Sequence, residues 1–173
     1  MTSGPRLLTD SIRARVGESR TYTAPDPLGL AAIRYFAQAI GDRNPLYLDA
    51  AFARAHGHPD VVAPPTMICE TNQYMTGGRD SDGSIGHSWG IEVPGTRVVR
   101  GGNSYEFHAF AGPDTVLSVT WRVADAVERM TASGAAILVL TSKASYHDQD
   151  GVLLATNTET LIYQEMLAAT GPA

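Results

Sequence analysis

The sequence predicts an α+β fold in which an antiparallel sheet wraps one apolar helix. Helix signals crowd the first part of the chain and strand signals the last, a segregation typical of α+β domains. The helix expected to start at Pro64-Pro65 carries apolar residues on more than one face, so it must be surrounded by the rest of the protein. The strands alternate apolar and polar residues, so each presents one face that needs cover. A curved sheet around that helix meets both needs.

The elements follow in order. A short strand is expected at 19–23. Asp26-Pro27 reads as a helix start, with an N-cap aspartate and proline at the first helical position. Ile33, Phe36, Ala37 and Ile40 then recur at helical spacing, and Gly41 closes the helix as its C-cap. A connection over 42–48 leads to a brief helix capped by Asp49, anchored by Phe52 and ended by Gly57. The central helix runs from Pro64-Pro65 to about Met75 and stops at Gly77-Gly78. Residues 77–96 lack a sustained period and are rich in Gly, Ser and Asp, which marks a long loop of the functional or mobile kind. Four strands follow. The first, 97–110, is interrupted by Gly101-Gly102, which suggests a bulge. The second, 115–127, sets Leu117, Val119, Trp121 and Val123 against Ser118, Thr120 and Arg122. The last two, 135–147 and 152–164, are joined by the turn Asp148-Gln149-Asp150-Gly151.

With 173 residues the chain has room for a single domain, with a core over about 20–165. Apolar residues make up 43%, enough for a sizeable core, and a net charge of −5 argues against a general nucleic-acid binder. The longest aliphatic run, 135–140, is far short of the roughly 20 residues of a membrane span. No apolar stretch of the secretory kind follows the first residues. The expectation is a cytoplasmic chain that engages neither nucleic acid nor membrane. The lone cysteine, Cys69, excludes an internal disulfide and suits core filling on an apolar helix better than nucleophilic work. No histidine pair has metal-site spacing, and Asp80-x-Asp82-Gly83 lacks the downstream acid of a calcium loop, so neither metal nor cofactor is expected.

The segment that carries chemistry is 40–67. Gly41-Asp42-Arg43-Asn44-Pro45 is a tight turn after a helix that presents a carboxylate and an amide, with Tyr47 close behind. Taken by themselves, Asp42 and Asn44 are better accounted for by turn and capping hydrogen bonds than by chemistry.

From Gly41 to Asp49 the chain resembles the Gly-Asp-x-Asn-Pro-Leu-His-x-Asp signature of MaoC-like (R)-specific enoyl-CoA hydratases and hydroxyacyl dehydratases. Gly57-His58-Pro59-Asp60, Ala63-Pro64-Pro65-Thr66 and Gly101-Gly102-Asn103-x-Tyr105-Glu106-Phe107-His108 are similar to the N-terminal-type, HadA-like subgroup. The resemblance covers about 22–164. It implies the hot-dog fold, an antiparallel sheet around a central helix. It also implies hydration of 2-enoyl thioesters, or dehydration of 3-hydroxyacyl thioesters, of CoA or acyl carrier protein, in fatty-acid or polyketide metabolism. Such chemistry needs a base, an acid and hydrogen-bond donors on the thioester oxygen.

Carried over residue by residue, the resemblance makes Asp42, Asn44 and Tyr47 the candidate catalytic groups, and His58 is the candidate alternative base, with a loop histidine holding the turn as its blander reading. Two departures matter. Tyr47 stands where the family has its catalytic histidine, and a phenol with an ordinary pKa of about 10 is a poor base but a usable proton donor. Pro64 and Pro65 replace a glycine at the helix entrance and have no N–H, so oxyanion donors shift to the amides of Thr66 and Met67 or to the Thr66 hydroxyl. Both departures are features of the non-catalytic partner in paired dehydratases.

Candidate substrate contacts are Pro65, Thr66 and Met67 at the helix entrance, and His87 and Trp89 in the long loop. Arg97, Arg100 and Arg122 lie on or beside the expected strands and are the candidates to meet a thioester carrier's phosphate, solvated strand-edge arginines being the alternative, while Gly101, Gly102 and Asn103 either let its arm approach closely or mark a bulge alone. Three readings stay open: a hydratase or dehydratase, a substrate-binding subunit of a heteromeric dehydratase, or another thioester chemistry such as hydrolysis or amine addition. In MaoC-like proteins the site lies between two hot-dog domains, so a homodimer or a heteromer with a homologous subunit is implied.

Overall fold

The computed structural model describes residues 7–70 and 89–166. Five short helices precede or flank a sheet: α1 (Asp10–Arg13), α2 (Leu30–Ala39), α3 (Pro45–Leu48), α4 (Ala50–Ala55) and α5 (Met67–Glu70). The strands are β1 (Ser19–Thr23), β2 (Thr96–Phe107), β3 (Ser118–Met130), β4 (Ala136–His147) and β5 (Leu153–Glu165). They form one antiparallel sheet in the order β1-β3-β4-β5-β2, so the chain crosses over to place β2 at the far edge.

All five expected strands are present within a few residues of their predicted limits. The expected bulge at Gly101-Gly102 is the register shift between Arg100 and Gly102, where β2 passes β5. Gly101 has a packing reason to lack a side chain. A Cβ there would lie 3.0 Å from Thr160 Cγ2, 3.1 Å from Ile162 Cδ1 and 3.2 Å from the Thr160 carbonyl oxygen.

The helices depart from expectation in three places. α2 begins at Leu30 and not at Asp26-Pro27, because the residues before it pair with another segment. The Leu28 amide donates to the Thr115 carbonyl (3.0 Å) and the Gly29 amide to the Pro113 carbonyl (2.8 Å), which holds this stretch out of a helix. The expected connection 42–48 contains the one-turn α3, capped by Asn44 with Pro45 at its first position. In α4 it is Ala53, not Phe52, that is fully buried; Phe52 is half-buried and stacks on His56 with ring centroids 4.0 Å apart. α1, capped by the Thr9 hydroxyl on the Ile12 amide, was not foreseen from the sequence.

Met67, Ile68 and Cys69 of α5 are buried in one cluster with Val119, Leu138, Leu140 and Tyr146 of the sheet. The remainder of the expected central helix, and the first part of the long loop with His87, lie outside the described residues. No helix among the described residues is long and apolar enough to cross a membrane.

Strand parity gives the sheet a dry inner face. In β4 Ala136, Leu138, Leu140, Ser142, Ala144 and Tyr146 are buried, while the residues between them are half-buried or exposed. The register sets Val119, Trp121 and Val123 of β3 opposite Tyr146, Ala144 and Ser142. Across the other edge of β4, Ala155, Asn157, Glu159, Leu161 and Tyr163 of β5 face Tyr146, Ala144, Ser142, Leu140 and Leu138. Beyond β5 the same face continues onto Phe107, Tyr105, Asn103, Arg100 and Val98 of β2.

Leu140 is fully buried on the central strand. Leu140→Ala is expected to cost about 2–5 kcal/mol of unfolding free energy, measured by urea denaturation followed by circular dichroism.

Candidate active site

The turn at 41–45 is built by three successive local hydrogen-bonding devices that close α2 and open α3. At the end of α2 the Gly41 amide donates to the Gln38 carbonyl (3.1 Å) and the Asp42 amide to the Ala37 carbonyl (2.9 Å), the paired bonds of a Schellman motif. Gly41 sits at φ +72, where a side chain is strained. Asp42 Oδ1 then accepts the Asn44 amide (2.9 Å), and Asn44 Oδ1 accepts the Leu46 amide (3.0 Å) to start α3. The capping roles and the presentation of a carboxylate therefore coexist: Asp42 is exposed, held on a stem with little freedom.

Tyr47 is buried beside Ala37 and Val62. Burial pushes its phenol above the ordinary value, the nearby Asp42 charge pushes the same way, and a hydrogen bond from Asn44 pulls it down. The phenol is thus kept protonated, a donor and not a base. The Val62 amide donates to the Leu46 carbonyl (3.0 Å), which ties the turn to the strand-like segment leading into α5.

That segment borders an apolar pocket of about 150 Å³ lined by Ala63, Pro65, Ile68 and residues 107–111. His58 packs edge-on against Phe110 of its wall, centroids 5.2 Å apart, with its own amide bonded to the Ala53 carbonyl (3.1 Å). Pro65 lines the pocket, and Thr66 is exposed at the helix entrance. Met67 is different. Its side chain is buried and its amide donates to the Pro64 carbonyl (2.9 Å), so the turn consumes the amide that the sequence offered as an oxyanion donor.

The other expected contacts separate. Trp89 is buried, donates its indole N–H to Ser142 Oγ (2.8 Å), and has its carbonyl held by Arg15 (2.8 Å). Arg97 lies on the outer face, where its guanidinium reaches Gln164 Oε1 (2.8 Å), away from the pocket side. The missing side chain of Gly101 makes room for Thr160 and Ile162 of the sheet, whereas nothing lies within 4 Å of a Cβ at Gly102. Asn103 faces inward and accepts the Asn157 amide (2.9 Å).

The sequence alone does not single out two inward residues, Asn157 and Glu159, both buried; Glu159 lies opposite Ser142 and Asn103, and Asn157 opposite Ala144 and Tyr105. Burial pushes the Glu159 carboxyl upward, and Arg100, 3.6 Å away, pulls it back less strongly. The signal was present as polar residues at the inward positions of a strand that otherwise alternates Ala155, Leu161 and Tyr163 inward, but it becomes readable only once the parity of β5 is known.

A dry-faced antiparallel sheet over an apolar helix, with the Asp-x-Asn-Pro turn beside the helix entrance, defines a hot-dog protein of the MaoC-like dehydratase class. Residues 14–157 match the family described as the FAS1-like dehydratase domain region, and the chain belongs to that family. It is 33% identical over 147 residues to a UPF0336 protein of Streptomyces coelicolor, covering 85% of this chain and 91% of that one. It is 35% identical over 122 residues to the 3-oxo-4,17-pregnadiene-20-carboxyl-CoA hydratase alpha subunit of Mycobacterium tuberculosis, 68% of this chain and 39% of the longer relative. Among solved structures, the ChsH1-ChsH2 complex of Mycobacterium tuberculosis superposes with a TM-score of 0.69 at 25% identity, covering 87% of this chain and 86% of that one.

Two outcomes follow. Gly41→Ala forces a side chain into a left-handed conformation and is expected to cost about 1–2 kcal/mol by urea denaturation. Glu159 has a raised carboxyl, so the stability it contributes is full below the ordinary carboxylate pKa of about 4.3 and is lost as pH rises through the raised value. Glu159→Gln, which imitates the protonated form, is therefore expected to raise Tm near pH 7 and to leave it unchanged near pH 4, read by thermal circular dichroism.

Proposed function

We propose that the chain is a subunit of an acyl-thioester hydratase or dehydratase that interconverts 2-enoyl and 3-hydroxyacyl thioesters of CoA or acyl carrier protein. The observation that carries this is the turn itself: three caps fix the Asp42 carboxylate beside the Tyr47 phenol, in the segment that leads to an apolar pocket. Family membership and the hydratase names among its relatives support the reaction class.

In the hydration direction the Asp42 carboxylate takes a proton from water as the oxygen adds to the β-carbon. The Tyr47 phenol gives a proton to the α-carbon, and the proton on Asp42 passes to the phenolate to restore both groups. Thr66, through its amide or hydroxyl, bonds the thioester oxygen where charge develops. His58 stands at the pocket wall as a second proton carrier.

A partner subunit belongs to this proposal. β2 is a twelve-residue edge strand, exposed along most of its length, with Val98 57% and Val99 42% exposed. An edge of that kind is a template for pairing with another sheet. Relatives named as alpha subunits, and the ChsH1-ChsH2 complex, support a second subunit, and the exposed edge is the reason to place it at β2.

A second reading has its own observations. The Tyr47 phenol is held protonated, two prolines enter α5, and the Met67 amide is consumed. These favour a substrate-binding subunit whose partner supplies the base.

The test is to incubate the purified chain with crotonyl-CoA and follow the product by mass spectrometry. For a catalytic subunit, wild type hydrates the thioester and Asp42→Asn, correctly folded, loses about a hundredfold or more in kcat/KM. Equal rates for the two would remove Asp42 from the chemistry. Turnover only on adding a homologous subunit would establish the binding-subunit reading.

A further inference from the structure

The edge strand β2 is complementary to itself. At its bulge Arg100 and Gly102 stand opposite Leu161 and Thr160, successive residues of β5, so Gly101 is an extra residue that advances the alternation of faces by one. Ahead of the bulge Val98 and Arg100 point to the dry face and Arg97 and Val99 to the outer face. Past it Asn103, Tyr105 and Phe107 point to the dry face and Ser104 and Glu106 to the outer one.

Two copies of this strand, run antiparallel about a two-fold axis between Gly101 and Gly102, overlap over all twelve residues. Arg97 of each copy then stands opposite Glu106 of the other, Val98 opposite Tyr105, and Arg100 opposite Asn103. The step in alternation makes every inward residue meet an inward one, so the two five-stranded sheets join with their dry faces on the same side. A slip by one residue breaks that match. The next registers that keep the faces set Arg97 opposite Ser104 or Glu106 opposite Val99, and either one loses the charge pair.

Charge therefore selects the full overlap. Glu106 is exposed and has no ion pair among the described residues, and the Arg97 guanidinium bonds the uncharged Gln164 (2.8 Å). Opposite charges directly across antiparallel strands attract and like charges repel, and the two-fold axis makes this pair occur twice. Arg100, the other cation of the strand, already has Glu159 at 3.6 Å and meets an amide. The same register lays a tyrosine ring on Val98, which is 57% exposed in the single chain. It also brings Thr96 of the second copy against Phe107, so the second copy borders the pocket at the entrance to α5. We propose that β2 pairs with β2 of a second copy of this chain, with Arg97 of each against Glu106 of the other. The inference rests on the placement of a partner at β2 above and names that partner.

The test is sedimentation equilibrium of the purified full-length chain at low ionic strength, where a concentration-dependent dimer is expected. Arg97→Glu and Glu106→Arg each set like charges across both contacts, and each is expected to raise the dimer dissociation constant about tenfold. Mixed in equal amounts, the two variants oppose unlike charges again at both contacts, so the mixture is expected to regain wild-type affinity. The doubly substituted chain is expected to do the same by itself, and circular dichroism checks that each variant keeps the fold. A monomer at every concentration would overturn the second copy while leaving β2 open to a different subunit. A dimer that neither substitution weakens would overturn the placement at β2 as well. Weakening by both substitutions, restored neither by mixing nor by the double substitution, would overturn the register. Hydration of crotonyl-CoA is read separately, so none of these results decides the reaction class.

Discussion

The whole arrangement depends on the parity of β4. This central strand hydrogen-bonds to β3 on one side and β5 on the other, and its inward residues run from Ala136 to Tyr146 without exposure. A slip by one residue would bring Thr141, Lys143 and Ser145 inside and expose Leu138 and Leu140, so the register has no near alternative. β5 takes its parity from β4, and β2 takes its parity from β5. The pocket wall at Phe107 and the inward amide of Asn157 are placed by that chain of dependence. The bulges at 100–102 and 123–125 absorb the local mismatch without reversing which face is dry.

The turn at 41–45 is specified differently, by caps and not by burial. Asp42 and Asn44 each accept one backbone amide, and both are accessible. The hydrogen bonds that would explain these residues as ordinary turn formers are the same ones that orient them for chemistry. Tyr47 links the two regimes. Its backbone lies in the capped turn of α3, and its ring is buried against α2 and the segment before α5.

The strands were legible because alternation is a local signal: Leu117 to Val123 announces its faces within seven residues. The start of α2 was not, since Asp26-Pro27 has every local mark of an N-terminus. The amides of Leu28 and Gly29 just after it are claimed by the Thr115 and Pro113 carbonyls, more than eighty residues away in the chain. For the site, Asp42, Asn44 and Tyr47 were found through the motif, and the structure does bring them together. The face of Arg97 is not legible in the sequence, because a strand arginine declares its face only through register, and its register sends it to Gln164. Met67 was misjudged because proline removes its own N–H but leaves its carbonyl free to capture the amide that follows. Asn157 and Glu159 went unseen for a related reason: a polar residue on a strand is ordinary until its neighbours are known to be dry.

The crossover that puts β2 at the sheet edge has a consequence for how the protein is made. Residues 96–107 leave the ribosome well before 153–165, yet among the described residues β5 is the only strand to which β2 hydrogen-bonds. During synthesis β1, β3 and β4 assemble in turn while a long, β-branched and glycine-interrupted segment waits without a ladder. That interval is when the nascent chain is most open to capture by another sheet, whether a homologous subunit being translated nearby or an aggregate. Variants that delay β5, by weakening the turn at 148–151, would lengthen the vulnerable period without touching the finished fold.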